Sequence, residues 1–317
     1  MMTNPKLSIL CITYNHEKFI RQTLESFVTQ KTDFDFEVII GEDCSVDNTR
    51  EIIREFEQKY PKIIKPIFRD KNIGGMQNFI DILYRAKGEY IALCEGDDYW
   101  TDPLKLKKQV DFLDANPDYV ICCHAAKCIN DDGAEWDWFN PPEIKDYYTL
   151  EDYISYGRTF IPTASLVTRN FISNLYEWFN DSPAGDMALI MSMCLQNNGK
   201  IKRFHEAMSV HRTHGGGIYS GMDYLEQQLF SIETRIYLRN KLPKEYDSAF
   251  KKGLRMILSQ IISNVENVTK SNIELNTMNR ELIQEINSLR QKPQKVSLRG
   301  SIIKYIRKVN DNFKNNP

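Results

Sequence analysis

The sequence predicts an α/β fold, a mostly parallel sheet with flanking helices, followed by an all-α extension. Three observations carry this reading. Short apolar runs alternate with amphipathic helical patterns over residues 1–220, each run ends in a polar loop, and beyond Gly221 the pattern becomes helical with a sevenfold apolar repeat.

The first unit is the apolar run Leu7 to Ile12, broken by Thr13-Tyr14-Asn15-His16 and followed by a helical pattern through Phe19, Ile20, Leu24 and Phe27. The second repeats it, with Phe36 to Ile40, a polar loop from Gly41 to Thr49, and a helix presenting Ile52, Ile53 and Phe56; Asp47 or Asn48 can cap it. A third strand around Ile63 to Phe68 leads through Asn72-Ile73-Gly74-Gly75 to a helix with Phe79, Ile80 and Leu83 inward, ended by Gly88. The fourth strand, Tyr90 to Leu93, runs into Cys94-Glu95-Gly96-Asp97-Asp98-Tyr99-Trp100, and a helix opens at Pro103. A fifth strand covers Tyr119 to Ala125. The aromatic stretch from Asp131 to Tyr148 reads as a loop over the site, Thr149 starts a capped helix, Ala164 to Thr168 reads as a strand and Phe171 to Phe179 as a helix. Ser182-Pro183-Ala184-Gly185-Asp186 precedes a helix from Met187 to Gln196, and the strand Ile201 to Val210 ends in His211-Arg212-Thr213-His214-Gly215-Gly216-Gly217. Strand–helix alternation of this kind gathers the polar loops beyond the carboxyl ends of the strands, where ligands bind in open α/β sheets.

At 317 residues, 42% hydrophobic and 26% charged, the chain has the composition of a globular protein of one large domain with an appendage, or of two domains. Net charge is −2, from 41 Lys plus Arg against 43 Asp plus Glu, so no global field attracts nucleic acid. The seven cysteines are scattered among apolar runs and read as reduced. Cys122, Cys123, His124 and Cys128 raise the question of zinc, but no C-x-x-C pair exists and adjacent strand residues face opposite ways. With no leader pattern and no apolar run of about 18 residues, a cytoplasmic location is expected. A dinucleotide-binding Gly-x-Gly-x-x-Gly and a P-loop are both missing from the first strand–helix turn.

Three carboxylates within four residues at a strand end repel one another unless a cation or a bank of donors compensates them. Carboxylate oxygens suit magnesium or manganese, and such ions are commonly shared with substrate phosphates. A solvated acidic turn is the plainer alternative.

In this order, Leu7 to Ile12 with Thr13-Tyr14-Asn15, the loop Glu42-Asp43-Cys44-Ser45-Val46-Asp47-Asn48-Thr49, and the turn Glu95-Gly96-Asp97-Asp98 resemble family 2 glycosyltransferases of the GT-A fold. The likeness spans roughly residues 6–220, and Gly96 to Pro103 looks like a bacterial surface-polysaccharide subgroup. The resemblance implies that Thr13 and Tyr14 bound a nucleotide pocket and that Asp43 accepts from the uracil imide, favouring a UDP-sugar. It implies that Asp97 is the metal-binding aspartate of a DXD motif for Mn²⁺ or Mg²⁺, with Asp98 beside it and Glu95 in place of the usual first aspartate. It makes Asp186 the catalytic base, although Gly185 stands where a glutamate is usual. His214 matches a late histidine near metal and diphosphate, with Arg212 as a diphosphate partner. The implied activity is inverting transfer from a nucleotide-sugar to a saccharide or lipid-linked saccharide acceptor. The departures at Glu95 and Gly185 keep open a non-catalytic scaffold on the same fold.

Residues 221–291 read as helix. Leu254, Ile261, Val268, Leu275, Leu282 and Leu289 recur every seventh residue, interleaved with Leu258, Val265, Asn272, Asn279 and Ile286, which is a coiled-coil seam over about 254–289. A parallel homodimer is expected from it. The basic tail, 292–317, carries Ile302, Ile306, Val309 and Phe313 on one helical face, which would allow peripheral contact with a membrane.

Overall fold

The computed structural model describes residues 4–197 and 199–271, and Gln284 beyond them. Its centre is a nine-stranded sheet in the order β3-β2-β1-β4-β8-β6-β9-β5, with β7 paired to β6. The strands are β1 (Leu7–Thr13), β2 (Phe36–Glu42), β3 (Ile64–Phe68), β4 (Tyr90–Leu93), β5 (Tyr99–Trp100), β6 (Tyr119–Asn130), β7 (Glu135–Asp137), β8 (Val167–Arg169) and β9 (Lys200–Thr213). The helices are α1 (Ile20–Val28), α2 (Thr49–Lys59), α3 (Gly75–Leu83), α4 (Lys105–Ala115), α5 (Leu150–Ser155), α6 (Gly185–Asn197), α7 (Tyr224–Arg239) and α8 (Asp247–Ser271).

The sheet is mixed, which corrects the expectation of a mostly parallel one. β1, β2, β3 and β4 are mutually parallel, but β8 enters between β4 and β6 antiparallel to both, and β5 pairs antiparallel with β9. Apolar runs look alike whichever way they pair, so strand direction was not readable from them. The region from Asp131 to Tyr148 is not all loop either, since β7 folds back on β6 through a turn in which Gly133 has φ +78°. The helix expected over Phe171 to Phe179 is two 3₁₀ turns, Ile172–Asn174 and Glu177–Asp181, and Asn170 Oδ1 accepts from the Ile172 N–H at 3.2 Å where the first begins. A 3₁₀ turn at Thr163–Ser165 takes the first half of the strand expected from Ala164.

Two apolar layers sandwich the sheet. Along β1, Leu7, Ile9 and Cys11 point into one layer with Leu24 and Phe27 of α1, Ile53 and Phe56 of α2 and Leu106 and Val110 of α4. Leu10 points into the other, built with Ile82 and Leu83 of α3, Tyr153 of α5 and Met187 to Cys194 of α6. This period of two in a strand buried on both faces fixes its register and brings Thr13, Glu42 and the end of β4 to one edge.

α8 crosses α5 at close range: a Cβ on Gly253 would lie 2.3 Å from the carbonyl oxygen of Ile154. Ile257 and Ile261 are buried against Ile232 of α7, with Leu254, Leu258 and Val265 packed around them. The first four positions of the expected coiled-coil seam, Leu254, Leu258, Ile261 and Val265, therefore pack within their own chain. Seam positions from Val268 onward, and the expected membrane-contacting tail, lie outside the residues with described side chains. No helix among the described residues is long and apolar enough to cross a membrane.

Candidate active site

The loops after β1 and β2 are tied together by side chains. Asn15 and Cys44 adopt left-handed φ of 56° and 64°, turning both chains sharply at the strand ends. The Asn15 amide N–H donates to Ser45 Oγ at 2.9 Å, and Asn15 Oδ1 accepts from the Val46 N–H at 2.9 Å. Asp47 accepts from the N–H groups of Glu17 and Thr49, both at 3.0 Å, so it anchors the loop and the start of α2 together. Glu42, fully buried, receives Arg50 Nε at 2.6 Å and the Ser45 N–H at 2.6 Å, so burial of its charge is compensated.

Asp43 is buried, and its two oxygens accept from the N–H groups of Ile73 and Gly74 at 2.8 and 2.9 Å. These bonds fix the carboxylate and leave each oxygen a second lone pair. Tyr14, in the loop after β1, is 42% exposed, while Thr13 is buried with Oγ1 3.2 Å from His16 Nδ1.

The Glu95–Asp98 turn is supported from α1, where Thr23 Oγ1 donates toward the carbonyls of Gly96 and Asp98. Asp97 Oδ2 lies 3.1 Å from His214 Nε2 and 3.8 Å from His16 Nε2. Its Oδ1 is buried and has no hydrogen-bond partner among the described residues. Burial works against charge on Asp97, but His214, His16 and His211 outweigh it and hold the carboxyl below its usual range. A carboxylate with one buried oxygen orphaned and the other flanked by imidazoles fits a divalent ion, with Asp97 and His214 as holders. His16 was missed from sequence because a single histidine after Tyr14-Asn15 reads as part of the turn.

Asp98, expected beside the ion, has another task. Its oxygens are taken by His211 Nδ1 at 3.0 Å and by the Arg212 N–H at 2.9 Å, which pins the end of β9 to the acidic turn. Arg212, expected at a diphosphate, bonds the Asp97 carbonyl and Gln22, with its guanidinium 4.4 Å from the Tyr99 ring centre and 5.1 Å from that of Phe19. In this arrangement it braces the turn.

Glu95 is raised well above the usual carboxylate range by burial, then by the charges of Asp97, Asp98 and Asp186. Asp186, in the first turn of α6, is raised as well, chiefly by burial, with its own and the Met187 N–H and the Arg235 charge opposing. The Asp186 charge therefore reaches Glu95 at the acidic turn. Arg235 enters from α7, outside the stretch that resembles the family; it is buried, and its Nε is unpartnered among the described residues. Gly185 is explained by packing: a Cβ there would lie 2.8 Å from Phe79 Cδ1 and 2.9 Å from Met76 Sδ of α3. The glutamate usual at this place does not fit against α3.

The model of glycosyl transferase family 2 matches residues 8–187. An uncharacterized protein of Mycobacterium tuberculosis is 42% identical over 231 residues, 72% of this chain and 64% of its own length, so the chain spans under two thirds of that relative. TarS of Staphylococcus aureus, named a poly(ribitol-phosphate) β-N-acetylglucosaminyltransferase, is 29% identical over 167 residues, covering 49% of this chain and 28% of TarS. A crystal structure of TarS 1–349 in complex with UDP-GlcNAc has a TM-score of 0.60 at 23% identity, over 80% of this chain and 73% of that one. The mannosyltransferase PcManGT of Pyrobaculum calidifontis, in complex with GDP-Man and Mn²⁺, has a TM-score of 0.58 at 13% identity, over 96% and 87%. At these identities the two structures speak for the fold. Taken with the family match, and with the acidic turn set at the edge of the parallel strands, they leave one assignment: the chain belongs to glycosyl transferase family 2.

Proposed function

We propose that the chain is an inverting glycosyltransferase that moves a sugar from a nucleotide-sugar, a UDP-sugar by preference, to a saccharide or lipid-linked saccharide acceptor of a surface polysaccharide. The observation that carries this is Asp97, whose buried Oδ1 lacks a partner among the described residues at the end of the parallel strands. Asp43, oriented by two backbone donors, keeps lone pairs for the uracil imide, and Tyr14 offers an exposed ring for the base. Asp186, raised by burial, takes the proton of the acceptor hydroxyl as that oxygen attacks the anomeric carbon. Single displacement inverts the centre. A divalent ion, Mn²⁺ or Mg²⁺, held by Asp97 and His214 would supply Lewis-acid stabilisation to the departing diphosphate. The TarS complex with UDP-GlcNAc supports a UDP-sugar donor, and the name of TarS supports a polymeric acceptor.

The scaffold alternative is less supported, because Gly185, one of its two motives, follows from packing against Phe79 and Met76. UDP release from a panel of UDP-sugars with Mn²⁺, with candidate acceptors, tests the reading. Turnover lost in Asp97→Asn upholds it; donor binding without turnover across the panel favours the scaffold.

A further inference from the structure

We infer that His16 is a third ligand of the ion site, and that the resulting two-histidine, one-carboxylate set selects Mn²⁺ or Co²⁺ over Mg²⁺. This rests on the reading above that Asp97 and His214 hold an ion.

One ligand atom each from His16, Asp97 and His214 lies within 4.8 Å of the other two, and this is the one such group among the described residues. Around a six-coordinate ion with bonds of about 2.1 Å, neighbouring ligands sit about 3 Å apart. His214 Nε2 meets that spacing at 3.1 Å from Asp97 Oδ2, and His16 Nε2, at 3.8 Å, needs to close by less than an ångström.

The surroundings orient His16 for ligation. Thr13 Oγ1, 3.2 Å from Nδ1, accepts from the imidazole when the proton sits there, which leaves the Nε2 lone pair toward Asp97. Space for this pair exists because residue 96 is glycine: a Cβ on Gly96 would lie 2.5 Å from Thr13 Oγ1 and 3.0 Å from His16 Nδ1. Phe19 packs against both imidazoles, 6.3 Å from the His16 ring and 4.7 Å from the His214 ring, and the two imidazoles stand nearly perpendicular at 86°. His214 is the partner that must change. Its Nδ1 accepts from the Gly216 N–H at 3.2 Å, so ligation through Nε2 moves the proton to Nδ1 and releases Gly216.

The ligand set decides the ion. Mg²⁺ prefers oxygen and sheds water reluctantly, whereas imidazole raises the affinity of later divalent ions. A site with one carboxylate and two imidazoles therefore binds Mg²⁺ weakly and Mn²⁺ or Co²⁺ well. It also leaves up to three positions of a six-coordinate ion open.

The test is binding of Co²⁺, Mn²⁺ and Mg²⁺ by the whole chain, followed by calorimetry and by the Co²⁺ visible spectrum, with no nucleotide present. The wild type is expected to bind Co²⁺ at least tenfold more tightly than Mg²⁺. His16→Asn is expected to lose about tenfold or more in Co²⁺ affinity while Mg²⁺ affinity stays within about threefold. Electron spin-echo modulation of the bound Mn²⁺ provides a readout on the unmutated protein, with two coordinated imidazole nitrogens expected, and one in His16→Asn. If His16→Asn binds Co²⁺ like the wild type while Asp97→Asn and His214→Asn lose it, His16 is not a ligand and the two-residue site stands. If the wild type binds none of the three ions, both readings fall.

Discussion

His211 Nδ1 lies 3.0 Å from Asp98 Oδ2, and the pair joins the end of β9 to the acidic turn after β4. Burial alone would lower the His211 pKa, but the Asp98 carboxylate, and behind it Glu95 and Asp97, raise it to about 9. The Trp138 ring stands nearly perpendicular to His211, 5.0 Å away between ring centres. A histidine raised on folding contributes stability that is complete below its unfolded pKa near 6.5 and is lost as pH climbs through about 9. Thermal melts of the wild type are therefore expected to fall in Tm across that window, and His211→Gln to flatten this slope. An unchanged slope in the variant would place the titrating group elsewhere.

Restoring the family's glutamate at position 185 is expected to harm the fold rather than improve catalysis. The side chain has to displace Phe79 and Met76, both under 3 Å from the new Cβ. Overpacking of this kind costs about 1–3 kcal/mol. Urea unfolding of Gly185→Glu measures it; a variant as stable as the wild type, with faster transfer, contradicts the packing explanation.

Lys105 is buried with no hydrogen-bond partner for Nζ among the described residues, its ammonium position 4.2 Å from the Trp100 ring centre. Burial lowers its pKa to about 7. Above pH 10.5 both folded and unfolded lysine are neutral and the site costs nothing; the cost grows as pH falls toward 7 and is constant below. Lys105→Met keeps the length and removes the charge. It is expected to stabilise by on the order of 2 kcal/mol at pH 7, with the gain vanishing above pH 10.5. Denaturant curves at the two pH values check this, and a gain independent of pH would assign it to packing alone.

The sequence carried the strand ends well and the directions poorly. β1, β2 and β4 were legible because an apolar run followed by a polar loop marks a strand that ends at a sheet edge; Asp43, Asp97 and Asp186 stood out as candidates through the resemblance of their motifs, since acids at strand and helix ends also cap and brace, as Asp47 and Asp98 do. β8 was not legible as antiparallel, since Val167 and its neighbours satisfy either direction. Asp98 and Arg212, expected as ligand-binding residues, brace the acidic turn in the structure, and that bracing could not be read without knowing that β9 ends against the turn. His16 lies about 80 residues from Asp97, which it approaches, and Arg235 about 50 from Asp186, on which its charge acts, and no local pattern encodes either relation. The seam beginning at Leu254 shows the same limit: a heptad stripe states that a helix face is covered, and here α7 covers its first turns.

Asp186 gives the sharpest functional prediction. Asp186→Asn keeps shape and the first-turn position on α6 but cannot accept a proton, so donor binding is expected to stay within about twofold while transfer falls by about 10²–10⁴. Because burial raises the Asp186 pKa above 3.8, the acid limb of wild-type kcat/KM should lie above the usual carboxylate range, with activity lost as pH falls through that limb. Residual transfer in Asp186→Asn should lack the limb. Arg235 opposes the burial effect by its charge, so Arg235→Met is expected to move the limb to higher pH while leaving the pH-independent rate largely intact. A limb that stays in place in Arg235→Met but disappears in Asp186→Asn keeps Asp186 as the base and removes Arg235 from its control; a limb that survives in Asp186→Asn assigns the proton to another acid, and Glu95 is the neighbour whose charge bears on the same site.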